Sequence, residues 1–91
     1  MATESAERSA HNTLSGTTAD AITITGFDTV DVINRSTSTA LYFRSDCTTA
    51  VGAANGCDYV APGGFVRHNA DGRAISIVGD GNDYSVIGVS A

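Results

Sequence analysis

Lysine is missing from this chain altogether: all five basic residues are arginines, set against ten acidic ones. The formal net charge of -5 works against nucleic acid as a partner, because phosphate binding needs clustered positive charge. Arg35, Arg44, Arg67 and Arg73 read as scattered surface charge rather than as a patch. Tryptophan is also missing, so the core must come from Ile, Val, Leu and a few Phe and Tyr rings. The Leu, Glu and Lys that a helical bundle needs are scarce, while Ser, Thr, Gly and Ala are abundant, a composition suited to strands and turns. No apolar run approaches the roughly 20 residues that a bilayer-spanning helix requires. The opening Met-Ala-Thr-Glu-Ser-Ala-Glu-Arg has neither the basic start nor the apolar core of a secretion signal. The expectation is a soluble protein made in the cytoplasm, with no membrane partner.

Chemistry-bearing motifs are equally sparse. Cys47 and Cys57 are the two cysteines, and neither has a second ligand within two to four residues, as a structural zinc site would. No Cys-x-x-Cys pair is present to lower a thiol pKa. His11 and His68 are the imidazoles of the chain, and only His68 falls on an expected strand. Nucleophilic catalysis would need a base and an orienting group around a Ser or Cys, and no Gly-x-Ser-x-Gly elbow appears. The companions of His68 are not legible from sequence. No metal, no cofactor and no enzymatic activity are expected. The cysteines are then either free thiols or a disulfide closing the loop between two strands. Closure would add about 2.5 to 3 kcal/mol of stability through loop entropy. Because a cytoplasmic chain normally stays reduced, a closed bridge would mark a later life outside the cell. The run Val78-Gly-Asp-Gly-Asn-Asp-Tyr-Ser-Val86 has a passing likeness to a calcium-binding β-helix repeat, but such repeats work by stacking several copies and here there is one. Asn34-Arg35-Ser36 matches a glycosylation sequon, which carries no meaning without a secretory route.

The chain divides at about residue 20. Residues 1–20 contain one large aliphatic side chain, Leu14, and show no strand alternation. On its own such a segment buries too little apolar area to offset the entropy of ordering it. It reads either as a disordered tail or as an extended arm that orders on a partner, with His11, Leu14, Ile22 and Ile24 as candidate contact and junction residues. Residues 21–91 read as one compact all-β domain, a sandwich or barrel of about seven short antiparallel strands. Ile22 and Ile24 alternate with threonines, Val30 and Val32 flank Asp31, and Leu41 and Phe43 oppose Tyr42 and Arg44. The segments around Tyr59-Val60 and Phe65-Val66, the pair Ile75 and Ile77, and the run Asp83–Val89 complete the set. Asp71-Gly72 is expected to close a hairpin between its two flanking strands, and Pro62-Gly63 to form a type II turn.

From Thr29 to Val89 the succession of a strand ending in Asn34, a Ser/Thr turn, Leu-Tyr-Phe-Arg-Ser-Asp, a loop, Tyr-Val-Ala-Pro-Gly-Gly-Phe-Val, Ala-Ile-Ser-Ile-Val-Gly and a last strand resembles small head-decoration proteins of tailed phages that infect actinobacteria. An aromatic strand leading to Arg-x-Asp, and a Pro-Gly turn before the next strand, carry the likeness. Cys47 stands where that pattern commonly has glycine. The resemblance implies a structural virion protein, made in the host cytoplasm, that binds the exterior of an assembled capsid. Its partner would be the lattice of major capsid protein, and trimers are common among such proteins. The competing classes are a self-assembling tail or connector protein and a stand-alone adhesive or carbohydrate-directed β-module.

Overall fold

The computed structural model describes residues 3–45 and 57–90. Among them are nine strands and no helix: β1 (Thr3–Ala6), β2 (Ser9–Thr13), β3 (Asp20–Ile24), β4 (Thr29–Asn34), β5 (Leu41–Arg44), β6 (Asp58–Val60), β7 (Phe65–Asn69), β8 (Ile75–Val78) and β9 (Asp83–Val89). They form a five-stranded sheet in the order β1-β3-β8-β5-β6 and a four-stranded sheet in the order β2-β9-β4-β7. Strands β3 to β9 lie where apolar alternation places them. The two extra strands come from the segment expected to be an arm, and its pairing lies within the chain: β2 runs antiparallel to β9, and β1 runs parallel to β3. Periodicity missed them because Ser, Thr, His and Asn give a strand no apolar face to read. The backbone ladders hold them instead, helped by side-chain bonds from Asn12 to Glu4 (2.8 Å) and between Thr13 and Asp83. The parallel β1/β3 pair departs from the all-antiparallel expectation. A parallel pair needs a crossover, and the detour of β2 through the opposite sheet supplies it.

The chain changes sheet at every connection between consecutive strands except β5 to β6. This corrects the hairpin expected at Asp71-Gly72. The turn itself forms, with both central residues at positive φ (53° and 74°) and the Arg73 N–H donating to the Ala70 carbonyl at 2.9 Å. Yet β7 belongs to one sheet and β8 to the other. The N–H groups of Ala70 and Asp71 both donate to the Asp28 carbonyl (2.8 and 3.0 Å), which ties the turn to the β3–β4 connection and steers the chain across the core. Pro62-Gly63 forms the expected type II turn: Gly63 has φ 74° and the Gly64 N–H reaches the Ala61 carbonyl at 2.9 Å. It too carries the chain from one sheet to the other.

Both sheets face a single core. Ile22, Ile24, Leu41, Phe43, Val60, Ile75 and Ile77 enter it from the five-stranded sheet, and Ala10, Val30, Val32, Tyr84 and Val86 from the four-stranded one. Full burial of each large side chain contributes about 1.5 to 3 kcal/mol. Two polar features cross this core. Asn34, wholly shielded at the end of β4, donates through Nδ2 to the carbonyls of Thr39 (2.8 Å) and Val60 (3.2 Å). Its Oδ1 accepts from the Ser36 N–H (3.1 Å) and from Asn82 Nδ2 (3.0 Å). Asn82 in turn accepts from the Asp80 N–H and donates to the Thr39 carbonyl, so the two amides stitch β4, β6 and the turn before β9 together. The second feature is the Tyr84 hydroxyl, which donates to Asp20 Oδ2 at 2.7 Å. Burial first, and this bond second, push the Tyr84 phenol well above its ordinary range.

Candidate functional site

At one flank the edge strands of the two sheets, β6 and β7, come side by side. Strand parity decides what gathers there. Leu41 and Phe43 point inward from β5, and Ser45, two residues on, keeps the same sense; Asp58 and Val60 do so on β6, and Val66 and His68 on β7. The result is a cluster centred on His68. Its Nε2 lies 2.6 Å from Ser45 Oγ, and its Nδ1 lies 3.7 Å from Asp58 Oδ2. The Phe43 ring meets the imidazole edge-on, with centroids 5.0 Å apart and planes at 76°, which fixes the ring's tilt. The His68 side chain is 21% exposed and Asp58 57%, so the hydroxyl–imidazole–carboxylate series opens to solvent from the carboxylate side. Of these three residues, the sequence had singled out His68 alone.

The same flank carries an apolar rim. Among the described residues, Tyr59 on β6 and Phe65 on β7 are the exposed large apolar side chains, at 54% and 61%. Tyr59 leans on Tyr42 across the β5–β6 pair, ring centroids 5.6 Å apart and tilted at 59°. Phe65 stands opposite Ile33 in the β4–β7 register. Two residue pairs along, Arg67 forms a forked contact with Asp31, Nε to Oδ1 at 2.9 Å and Nη2 to Oδ2 at 3.3 Å. Asp31 raises the guanidinium's pKa above its ordinary value, first through that hydrogen bond and then through its charge.

A second polar group sits away from this flank, on β2 and β9. His11 Nδ1 lies 2.7 Å from Ser85 Oγ, and Arg35 Nη1 approaches the same oxygen at 3.4 Å. His11 and Arg35 border a shallow depression of about 210 Å³ that also takes in Asn12, Thr13, Asp83 and Tyr84. Ser85 itself is only 2% exposed.

The residues expected to contact a partner separate sharply. Leu14, Ile22 and Ile24 are core residues, at 3%, 0% and 3% exposure, so the junction they form is internal. His11 is the exposed member of that group. Cys57 is a free, half-buried thiol beside the small apolar cluster of Ala19 and Val78; Cys47 lies outside the described residues. Among the described residues no group of three or more His, Cys, Asp or Glu side chains converges as a metal site would require, and no helix is long and apolar enough to cross a membrane. Comparison with family models, with curated proteins and with solved structures returned no match.

Proposed function

We propose that this chain is a structural virion protein, a head-decoration module that binds the outer surface of an assembled phage capsid and braces it. In this reading the domain is a β-sandwich made in the host cytoplasm and carried on the capsid exterior. It acts alone or as a small homo-oligomer such as a trimer, and neither nucleic acid nor membrane is its partner. The resemblance over Thr29–Val89 motivates the reading. The observation that carries it is the placement of Tyr59 and Phe65, half or more exposed, on neighbouring edge strands. Exposed aromatics beside a forked Arg–carboxylate pair are the residue types that anchor protein interfaces. A repeating lattice multiplies a modest single-site affinity, because each docked copy sits among identical sites.

The test is sedimentation of the purified protein with preassembled shells of the parent phage's major capsid protein that lack decoration. The expected result is saturable binding and a higher shell disassembly temperature. Tyr59→Ser and Phe65→Ser should each weaken binding about fivefold or more, at over about 1 kcal/mol per lost anchor. Spontaneous rings or tubes from the protein alone would instead favour a tail or connector role. The Tyr42–Tyr59 pair supports one further reading, a carbohydrate-directed module, since sugar faces stack on exposed rings. Saturable binding to a glycan panel, lost in Tyr59→Ser, together with indifference to shells, would select it.

A further inference from the structure

We propose that Ser45 is an activated nucleophile, with His68 as its general base and Asp58 as the group that positions the imidazole, and that the site transfers acyl groups from short-chain activated esters to water. The inference stands independently of capsid binding.

Ser45 Oγ and His68 Nε2 are in hydrogen-bond contact at 2.6 Å, the relation a hydroxyl needs to surrender its proton as it attacks. On the far side of the ring, Asp58 Oδ2 lies 3.7 Å from Nδ1. A carboxylate there favours the tautomer with the proton on Nδ1, which leaves Nε2 free to accept from Ser45. The separation is longer than a hydrogen bond, and such contacts commonly tighten only when substrate binds. Phe43, edge-on at 5.0 Å, leaves the ring little freedom to swing away. Three different strands or their ends supply the three groups, so strand parity, and not local sequence, aligns them.

The chain contains its own control. His11 also contacts a serine, Ser85, at 2.7 Å. Ser85 is 2% exposed, and the other side chain bonded to its hydroxyl is that of Arg35, a cation that cannot accept a proton. That pair has the distance without the access or the orienting carboxylate. Ser45 is half-buried rather than sealed, and the cluster is open at Asp58.

The chemistry balances with water as the only co-reactant. As Ser45 Oγ bonds to the ester carbonyl carbon, His68 takes the hydroxyl proton. The carbon–oxygen bond to the leaving group breaks, and the leaving alkoxide or phenolate takes that proton from the imidazolium. Water, deprotonated by His68, then attacks the acyl-serine, releasing the carboxylic acid and restoring the hydroxyl. Activated esters fit best because a good leaving group asks little of the acid step.

The full-length protein, incubated with a fluorophosphonate probe, should gain one phosphonyl group as fluoride leaves, and peptide mapping should place it on Ser45. Hydrolysis of p-nitrophenyl acetate should disappear in Ser45→Ala and fall by about 10²- to 10⁴-fold in His68→Ala, the usual contribution of a positioned base. Asp58→Asn should lower kcat while leaving KM in place, with Asp58→Glu restoring part of it; a merely structural carboxylate would not produce that split. His11→Ala and Ser85→Ala should leave the rate unchanged. If His68→Ala loses its cooperative thermal transition, His68→Gln takes its place. Absence of an adduct at Ser45 in the wild-type protein, or equal labelling after loss of the imidazole, overturns the assignment.

Discussion

Replacing Asn34 with alanine tests whether the buried amide pair holds the two sheets in register. Asn34 is fully shielded and satisfies four groups: the carbonyls of Thr39 and Val60, the Ser36 N–H and the Asn82 amide. The Thr39 carbonyl keeps Asn82 as a donor after the change, and Asn82 keeps Thr39 and Ala40 as acceptors. The Val60 carbonyl and the Ser36 N–H lose the partner that Asn34 gave them. Orphaning the buried Val60 carbonyl costs about 1 to 3 kcal/mol and the part-buried Ser36 N–H less, so the variant should lose about 3 kcal/mol in all. For a domain of this size that corresponds to a fall in Tm of about 12 to 24 °C. Asn34→Asp should be worse than Asn34→Ala, since a carboxylate keeps the acceptor and puts an oxygen, where the donor was, against the carbonyls of Thr39 and Val60. Urea titration followed by circular dichroism, with the m-value unchanged, measures the effect. In a double-mutant cycle, Asn34→Ala and Asn82→Ala should be coupled by about 0.5 kcal/mol or more. A loss under about 1 kcal/mol for Asn34→Ala, or strict additivity with Asn82→Ala, would show that the amides merely fill space.

Two further outcomes follow from the same geometry. The Tyr84 phenol is held protonated in the fold, above its ordinary value of 10.0, by burial and by the Asp20 contact. In the unfolded chain it ionises first, so its stabilisation is complete below about pH 10 and declines as the pH climbs toward the folded value. Wild-type protein should therefore lose stability in alkali more steeply than Tyr84→Phe in pH-dependent urea melts; parallel curves would contradict the assignment. The alternate amides of β2 that face β9 should be protected from hydrogen exchange in the isolated protein, because this edge strand pairs with β9 in the chain itself. Peptide-like exchange across Ser9–Thr13 would instead mean that this segment orders only on a partner.

That second experiment bears on what the sequence can disclose. Strands β3 to β9 were legible because Ile22/Ile24, Val30/Val32, Leu41/Phe43 and Ile75/Ile77 each write an apolar face at a period of two. β1 and β2 were not, because they are held by ladders at two sheet edges and contribute little more to the core than Ala6 and Ala10. At Asp71-Gly72 the local sequence predicts the turn but not that the turn links two different sheets, for a related reason. Local chemistry sets the φ angles of a turn, but the pairing of β7 with β4 and of β8 with β3 and β5 is a long-range decision.

The His68 cluster lies between these cases. The inward sense of residues 41, 43 and 45, of 58 and 60, and of 66 and 68 is fixed by alternation once the strands are drawn. What alternation withholds is that β6 ends one sheet, β7 ends the other, and the two ends meet. A serine just past the end of one strand, an aspartate at the start of the next and a histidine on a third each read singly as ordinary surface. Only the switch of sheet at Pro62-Gly63 turns β7 back beside β6 and brings the imidazole within 2.6 Å of the hydroxyl. The aromatic rim follows from the same meeting of edges, since Tyr59 and Phe65 occupy the outward positions of the strands whose inward positions carry Asp58 and His68. One topological step thus sets the aromatic residues on the outer face of the flank and Ser45 and His68 on its inner one, with Asp58 at the solvent-open edge between them. Substitutions at Tyr59 and Phe65 should consequently alter docking without altering the rate at Ser45, and those at Ser45 the reverse.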